Sequence, residues 1–189
     1  MQPNEALEKR GNSLEEAFFR KQDATLLEKL RQKRLAEVTK EDIAAATGIR
    51  DDELLERLVE MEINLQTLTA LSVIPLVEVA WADGRIEKNE RDAVLQAADE
   101  AGVPKDGPGY RLLNEWLANK PDMKLLSCWK DYVAALADTL DEKAYAQVRD
   151  NLLDRARDVA TAAGGILGLG AISTAEQEKL QELEAAFKK

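Results

Sequence analysis

Three carboxylates lie close together in one short stretch of the chain, and together they could bind a divalent cation. Asp83, Glu87 and Glu90 fall within eight residues, around the dipeptide Asp83-Gly84. Carboxylate oxygens are the ligands that calcium, magnesium and manganese prefer in proteins. Residues 83–90 follow the pattern Asp-Gly-x-Ile-x-x-x-Glu, which matches the second half of an EF-hand calcium loop. The spacing therefore indicates a hard-cation site at this turn.

The same pattern shows that an EF-hand site would be incomplete. Val79 and Trp81 occupy the positions where the first two carboxylates of such a loop would stand. A cation would have to be held by the remaining acids and by backbone oxygens, and Glu78 is a further carboxylate that could complete the set. We therefore expect any cation binding to be weak.

Local structure offers a competing explanation for the same residues. Asp83 can accept hydrogen bonds from backbone N–H groups, and Gly84 can adopt a positive φ at no steric cost. Glu90 stands where the glutamate of a capping box would stand in a helix that begins near Glu87. The sequence predicts a positive φ at Gly84 and Asp83 bonded to the 84–87 backbone, and it leaves metal binding and capping both open.

Two helices must position this turn. The segment 65–82 is predicted to be a mostly buried helix, and Pro75 should kink or split it near residues 71–74. After the turn, an amphipathic helix is predicted to run to Gly102. Ile86 is the one apolar residue of the turn and should anchor it to the core.

The run Ala80-Trp81-Ala82-Asp83-Gly84, followed by Ile86 and Glu90, resembles the TerB-like domain of tellurite-resistance and related bacterial proteins. The resemblance covers about residues 64–189. It implies a pseudo-duplicated helical bundle, metal binding by acidic residues, and a role in stress response or signalling assemblies. Only Asp83 and Glu90 match motif positions, and Glu87 is added from its proximity in the sequence.

A second stretch of the chain repeats the residue spacing of this motif. Gly170-x-Ile172-x-x-x-Glu176 repeats the spacing of Gly84, Ile86 and Glu90, again between two helical segments. TerB-like domains carry two such turns. Leu169 stands where Asp83 stands in the first turn, so the second turn has lost that carboxylate. The two turns are predicted to superpose within one bundle.

Helical periodicity runs through the whole chain, and no segment alternates in the manner of a strand. We predict an all-α fold with two parts, an N-terminal helical arm and short helical pair over residues 1–63 and the bundle over 64–189. Ser13 and Glu16 should cap a helix over 13–38, and residues 39–42 should cap a short helix that ends at Gly48. Asp51 or Asp52 should start the next helix.

Residues 1–63 suggest two binding modes, docking by a basic helix and DNA binding by a helical pair. The 13–38 helix is the most basic part of the chain and could dock on a membrane surface or an acidic partner, but interleaved acids favour an arm packed along the rest of the molecule. The following helical pair has the rhythm of a helix-turn-helix. Its second helix, within residues 51–62, carries six acids and one arginine, so phosphates would repel it. We predict no nucleic-acid binding.

Composition excludes several classes of function. The chain has 36 acidic and 26 basic residues, for a formal net charge of −10, which opposes attraction to DNA or to anionic lipid. It has no histidine, which removes the commonest general base and the usual zinc ligand. The lone Cys128 lies in a helical pattern and is predicted to be a buried, inert thiol. There is no signal pattern and no long uncharged apolar run, which predicts a cytoplasmic protein without a transmembrane segment.

These observations predict a non-catalytic binding module of TerB-like type, with a weak divalent-cation site at Asp83, Glu87 and Glu90 and an unidentified protein partner. The alternative is a purely structural or regulatory interaction protein that uses the 13–38 helix as its docking arm. Under both interpretations the protein is predicted not to be an enzyme.

Overall fold

The computed structural model describes residue 26, residues 28–163 and residues 172–188 of the 189-residue chain. The chain forms two units, Met1–Thr39 and Lys40–Lys189. In the first unit, residues 28–39 are helical and leave Leu30, Leu35 and Val38 exposed. The predicted helix start at Ser13 and Glu16 lies outside the described residues.

The regular elements of the described part of the second unit are all helices, and the predicted all-α fold is confirmed. It contains eight α-helices, one 3-10 helix and no strand. In chain order these are α1 (residues 28–47, of which 40–47 lie in this unit), α2 (Asp52–Glu60), the 3-10 helix η1 (Leu68–Val73), α3 (Ile74–Ala80), α4 (Lys88–Glu100), α5 (Pro108–Ala118), α6 (Met123–Thr139), α7 (Glu142–Ala163) and α8 (Thr174–Ala185).

The helix start predicted at residues 39–42 is wrong. All four residues are helical, and Thr39 Oγ1 donates a hydrogen bond to the Leu35 carbonyl oxygen at 2.8 Å. A threonine hydroxyl inside a helix bonds in this way to the carbonyl four residues earlier. Without a glycine or proline to interrupt the backbone, the polar residues at 39–42 do not end a helix. Residues 40–63 belong to the second unit together with the segment assigned to the bundle.

Helix α3 is the centre of the second unit. All seven of its residues are buried, and it packs against α4, α6, α7 and α8. A helix in which Glu78 is the one polar residue has to be surrounded in this way. Pro75 stands in its first turn, where the missing N–H has no helical partner to lose. The predicted split of the 65–82 helix is confirmed, and it falls between Val73 and Ile74.

The end of α3 is fixed to α5 by a single hydrogen bond. Trp81 follows α3, and its indole Nε1 donates to the Trp116 carbonyl oxygen at 2.8 Å. The chain then turns and restarts as α4, which ends before Gly102 with φ +80°. The candidate site lies in this α3–α4 connection.

Candidate functional site

The α3–α4 connection forms the predicted Asp-Gly turn. Gly84 has φ +90°, and Asp83 Oδ1 accepts a hydrogen bond from the Arg85 N–H at 3.1 Å. Ile86 packs partly buried against the hydrophobic core. Both local predictions, the positive φ and the bonded Asp83, are confirmed. The turn holds its backbone shape through its own residues.

Glu90 closes the start of α4. It is the third residue of the helix, and its Oε2 accepts a hydrogen bond from the Glu87 N–H at 2.6 Å. Only 3% of Glu90 is exposed. The bond satisfies one of the backbone donors that a helix start leaves free. Capping therefore accounts for one oxygen of Glu90.

The repeated motif around Ile172 and Glu176 has the same capping arrangement. Ser173 N–H donates to Glu176 Oε2 at 2.6 Å, and the Glu176 N–H donates to Ser173 Oγ at 3.2 Å. Glu176 is 4% exposed, and Ile172 packs against the core as Ile86 does. The capping box predicted from Ser173 and Glu176 is confirmed. Leu169 and Gly170 lie outside the described residues, so the superposition of the two turns stays a prediction.

The two capping glutamates lie near enough for their charges to interact. The pKa of Glu90 is raised from 4.5 to about 7, mainly by burial. The hydrogen bond from Glu87 lowers this pKa, whereas the charges of Glu176, Asp83 and Glu87 raise it in that order. Glu176 Oε1 is buried and has no hydrogen-bond partner. Asp83, Glu87, Glu90 and Glu176 are named the acidic cluster from here on.

Glu176 was not among the site residues predicted from sequence. Its place in the acidic cluster depends on tertiary packing, because α4 and α8 both pack against α3 and α7 while more than eighty residues of chain separate Glu90 from Glu176. The repeated spacing of glycine, isoleucine and glutamate was the one signal that could have identified it.

Arg85 provides a counter-charge for the exposed edge of the acidic cluster. Its Nε lies 3.5 Å from Asp83 Oδ2, and one of its terminal nitrogens lies 3.4 Å from Glu87 Oε1. The Arg85 side chain is 75% exposed, so these ion pairs are weak. A cation at this edge would have to displace Arg85. The position of Arg85 between two of the predicted ligands was visible in the sequence.

Glu78 does not join the acidic cluster. It is buried in α3, and its Oε2 lies 3.5 Å from Lys179 Nζ in α8. Burial raises the pKa of Glu78, and the charge of Lys179 opposes this effect. Glu78 therefore belongs to a separate set of charges that connects α3 with α8.

The donor types of the acidic cluster suit a hard cation, but its carboxylates do not converge on one point in the described structure. Within the ranges 28–163 and 172–188, no group of three or more acidic or cysteine side chains converges as metal ligands do. Cys128 is buried as predicted, and burial raises its pKa to about 11, so it is a thiol at neutral pH. Among the helices that the structure describes, none is long and apolar enough to cross a membrane.

Comparison with known proteins does not add a relative. No protein family, no curated protein and no solved structure matches this chain. The interpretation of the acidic cluster therefore rests on its own geometry and on the resemblance of its motif.

Proposed function

We propose that this protein is a non-catalytic binding module of TerB-like type that holds a divalent cation weakly at the acidic cluster. The observation that carries the proposal is the approach of two buried glutamates, Glu90 and Glu176, from two similarly built helix starts. Burial is the main cause of the raised pKa of Glu90, and the charge of Glu176 adds to it. A cation bound between them would remove this repulsion and would supply a partner for the orphaned Glu176 Oε1.

Weak binding follows from the same geometry. One oxygen of each glutamate is engaged in capping, and Arg85 already neutralises part of the outer edge. Calcium usually takes six to eight oxygen ligands. The cluster offers fewer, so water and backbone carbonyls would complete the coordination. Calcium, magnesium and manganese are the candidates because all the ligands are oxygens.

Substitution of Asp83 by asparagine tests the proposal. Asparagine keeps the hydrogen-bond acceptor of the turn and removes the charge. We expect wild-type protein to melt at a higher temperature in millimolar calcium, magnesium or manganese, and we expect Asp83→Asn to reduce this shift while leaving the metal-free melting temperature almost unchanged. Differential scanning calorimetry with and without each cation measures both quantities.

Two controls make this test specific. Asp106→Asn changes an exposed acid in the α4–α5 connection and should leave the cation effect intact. Arg85→Gln removes the competing counter-charge and should increase the cation effect. If Asp83→Asn destabilises the protein equally with and without cations, Asp83 is a turn residue only and the proposal is wrong.

The second candidate function is a structural or regulatory interaction protein with a docking arm. The exposed side chains of Leu30, Leu35 and Val38 on the helical residues 28–39 favour it, because aliphatic groups on a helix surface often mark a contact with a partner. The same calorimetry separates the two candidates. An arm that docks on a protein predicts no cation-dependent shift in wild-type protein.

A further inference from the structure

A groove with apolar walls lies between η1, α6 and α7, and the acidic cluster contributes nothing to it. It encloses about 420 Å³, which falls in the range of small-molecule sites, about 300–1,000 Å³. Its size and lining are those of a binding site and not of a packing defect.

Two helix faces form the walls of the groove. The contributing residues are spaced by three and four positions, so each helix presents one continuous face. The floor is fully packed, since Trp129 and Val133 are almost completely buried. The wall residues are Trp129, Tyr132, Val133 and Leu136 of α6, with Val148, Asn151, Leu152 and Arg155 of α7.

One end of the groove lacks a cover in the second unit. Residues 134–151 comprise the end of α6, the connection and the start of α7, and none of them is buried. Val148 is 36% exposed although it faces the groove. Aliphatic side chains of this hairpin are therefore available to a ligand.

The charge of the groove is opposite to that of the protein. The chain carries a net charge of −10, yet Arg155 is the one charged residue among the residues that line the groove. Arg155 also lines a smaller neighbouring cavity with Glu100 and Asp158, at distances too long for an ion pair. Arg155 forms no ion pair with any residue that the structure describes. It lies at one end of the α7 face, two turns after Val148. An acidic group on a ligand that fills the groove would lie within reach of Arg155 and would complement its charge.

We propose that this groove binds an aliphatic carboxylate such as a fatty acid. The alkyl chain lies along the α6 and α7 faces toward Val148, and the carboxylate accepts hydrogen bonds from the Arg155 guanidinium. Tyr132, whose burial raises its pKa, keeps its hydroxyl proton and remains neutral beside the chain. This site is independent of the proposed cation site.

Titration of the full chain with sodium dodecanoate, below its micelle-forming concentration, tests the proposal. Isothermal calorimetry should show saturable binding of one molecule. Arg155→Gln should weaken dodecanoate about ten-fold, since a hydrogen bond to a charged group is lost, and should leave the affinity for dodecanol nearly unchanged. Arg149→Gln, on the same helix but outside the lining of the groove, is the control and should change neither affinity.

A second variant tests whether the ligand binds in the groove. Ser72 is exposed on η1 at the groove wall, so Ser72→Trp should fill the groove without disturbing the core and should weaken both dodecanoate and dodecanol. Non-saturable binding, or dodecanoate binding that Ser72→Trp leaves unchanged, overturns the proposal. An equal loss of acid and alcohol in Arg155→Gln also overturns it. So does failure of dodecanoate when an acidic amphipathic peptide binds, because the groove is then a protein-docking surface.

Discussion

Glu90 occupies a position that does not suit a charged carboxylate. Burial and three neighbouring acids raise its pKa to about 7, and the one hydrogen bond from Glu87 does not offset them. Near neutral pH, Glu90 is therefore close to half protonated. A proton and a cation are alternative means of relieving the same repulsion, so the state of this residue reports on the acidic cluster.

The pH dependence of stability tests this view of Glu90. Its pKa is higher in the folded protein than in the unfolded chain, so between pH 4.5 and about 7 the folded state keeps a proton that the unfolded state releases. Stability is then lost as the pH rises through this window, by up to about 3 kcal/mol above pH 7. Glu90→Gln keeps the acceptor for Glu87 and removes the charge. We expect the variant to gain stability relative to wild type between pH 5 and pH 8, as measured by urea unfolding.

Two comparisons complete the pH test. Glu115→Gln, on the exposed side of α5, should follow wild type at every pH. Calcium should stabilise wild type more at pH 8 than at pH 5, because protons compete for Glu90 at the lower pH. A constant stability difference between Glu90→Gln and wild type across this range would show that Glu90 is an ordinary surface-like carboxylate.

At the scale of elements, the Asp-Gly turn sets the direction in which α4 leaves α3. Gly84 has φ +90° with no atom within 4 Å of the place where a Cβ would stand. Any cost of a side chain there comes from the backbone conformation alone. The same is true of Gly102, with φ +80° and open space, at the other end of α4.

This pair of glycines gives a matched test of the turn. We expect Gly84→Ala and Gly102→Ala each to destabilise the protein by about 1 kcal/mol, since both force alanine into a left-handed conformation. Only Gly84→Ala should also change the cation-dependent shift in melting temperature, because it alters the acidic cluster. Chemical denaturation measures the first effect and calorimetry the second. A neutral Gly84→Ala would be inconsistent with the turn described here.

Sequence patterns predicted the features whose causes are local. The Asp-Gly turn, the split before Pro75 and the capping box at Ser173 each depend on residues within a few positions of one another. The approach of Glu176 to Glu90 could not be predicted in this way, because the packing of distant helices decides it. The wrong helix start at residues 39–42 has the opposite cause, since capping residues were present but nothing interrupted the helix.

At the scale of the whole molecule, a chain of charges connects three helices at the edge of the core. Lys179 of α8 lies 3.5 Å from Glu78 of α3 and 2.6 Å from Glu182 of its own helix. Lys130 of α6 then lies 2.6 Å from Glu182. These contacts join the central helix to the last helix of the chain. Glu78 is the most buried member, and among the described residues Lys179 is the cation within 4 Å of it, while Lys120 acts on it from farther away.

Loss of Lys179 should therefore leave Glu78 buried without a partner. We expect Lys179→Met to destabilise the protein by about 1–3 kcal/mol at pH 8, less than a fully buried pair would lose because Lys179 is 22% exposed. Removing the lysine raises the pKa of Glu78 further above its ordinary value, so the destabilisation should be smaller at pH 5 than at pH 8. In a Glu78→Gln background, Lys179→Met should cost much less at either pH, since no buried charge remains.

Lys188→Met breaks an exposed pair with Glu184 and should change stability by less than about 0.5 kcal/mol. Urea unfolding at pH 5 and pH 8 measures the free energy of unfolding of each variant. If Lys179→Met lowers this free energy equally at both pH values and equally with Glu78 or Gln at position 78, the lysine acts through Glu182 alone.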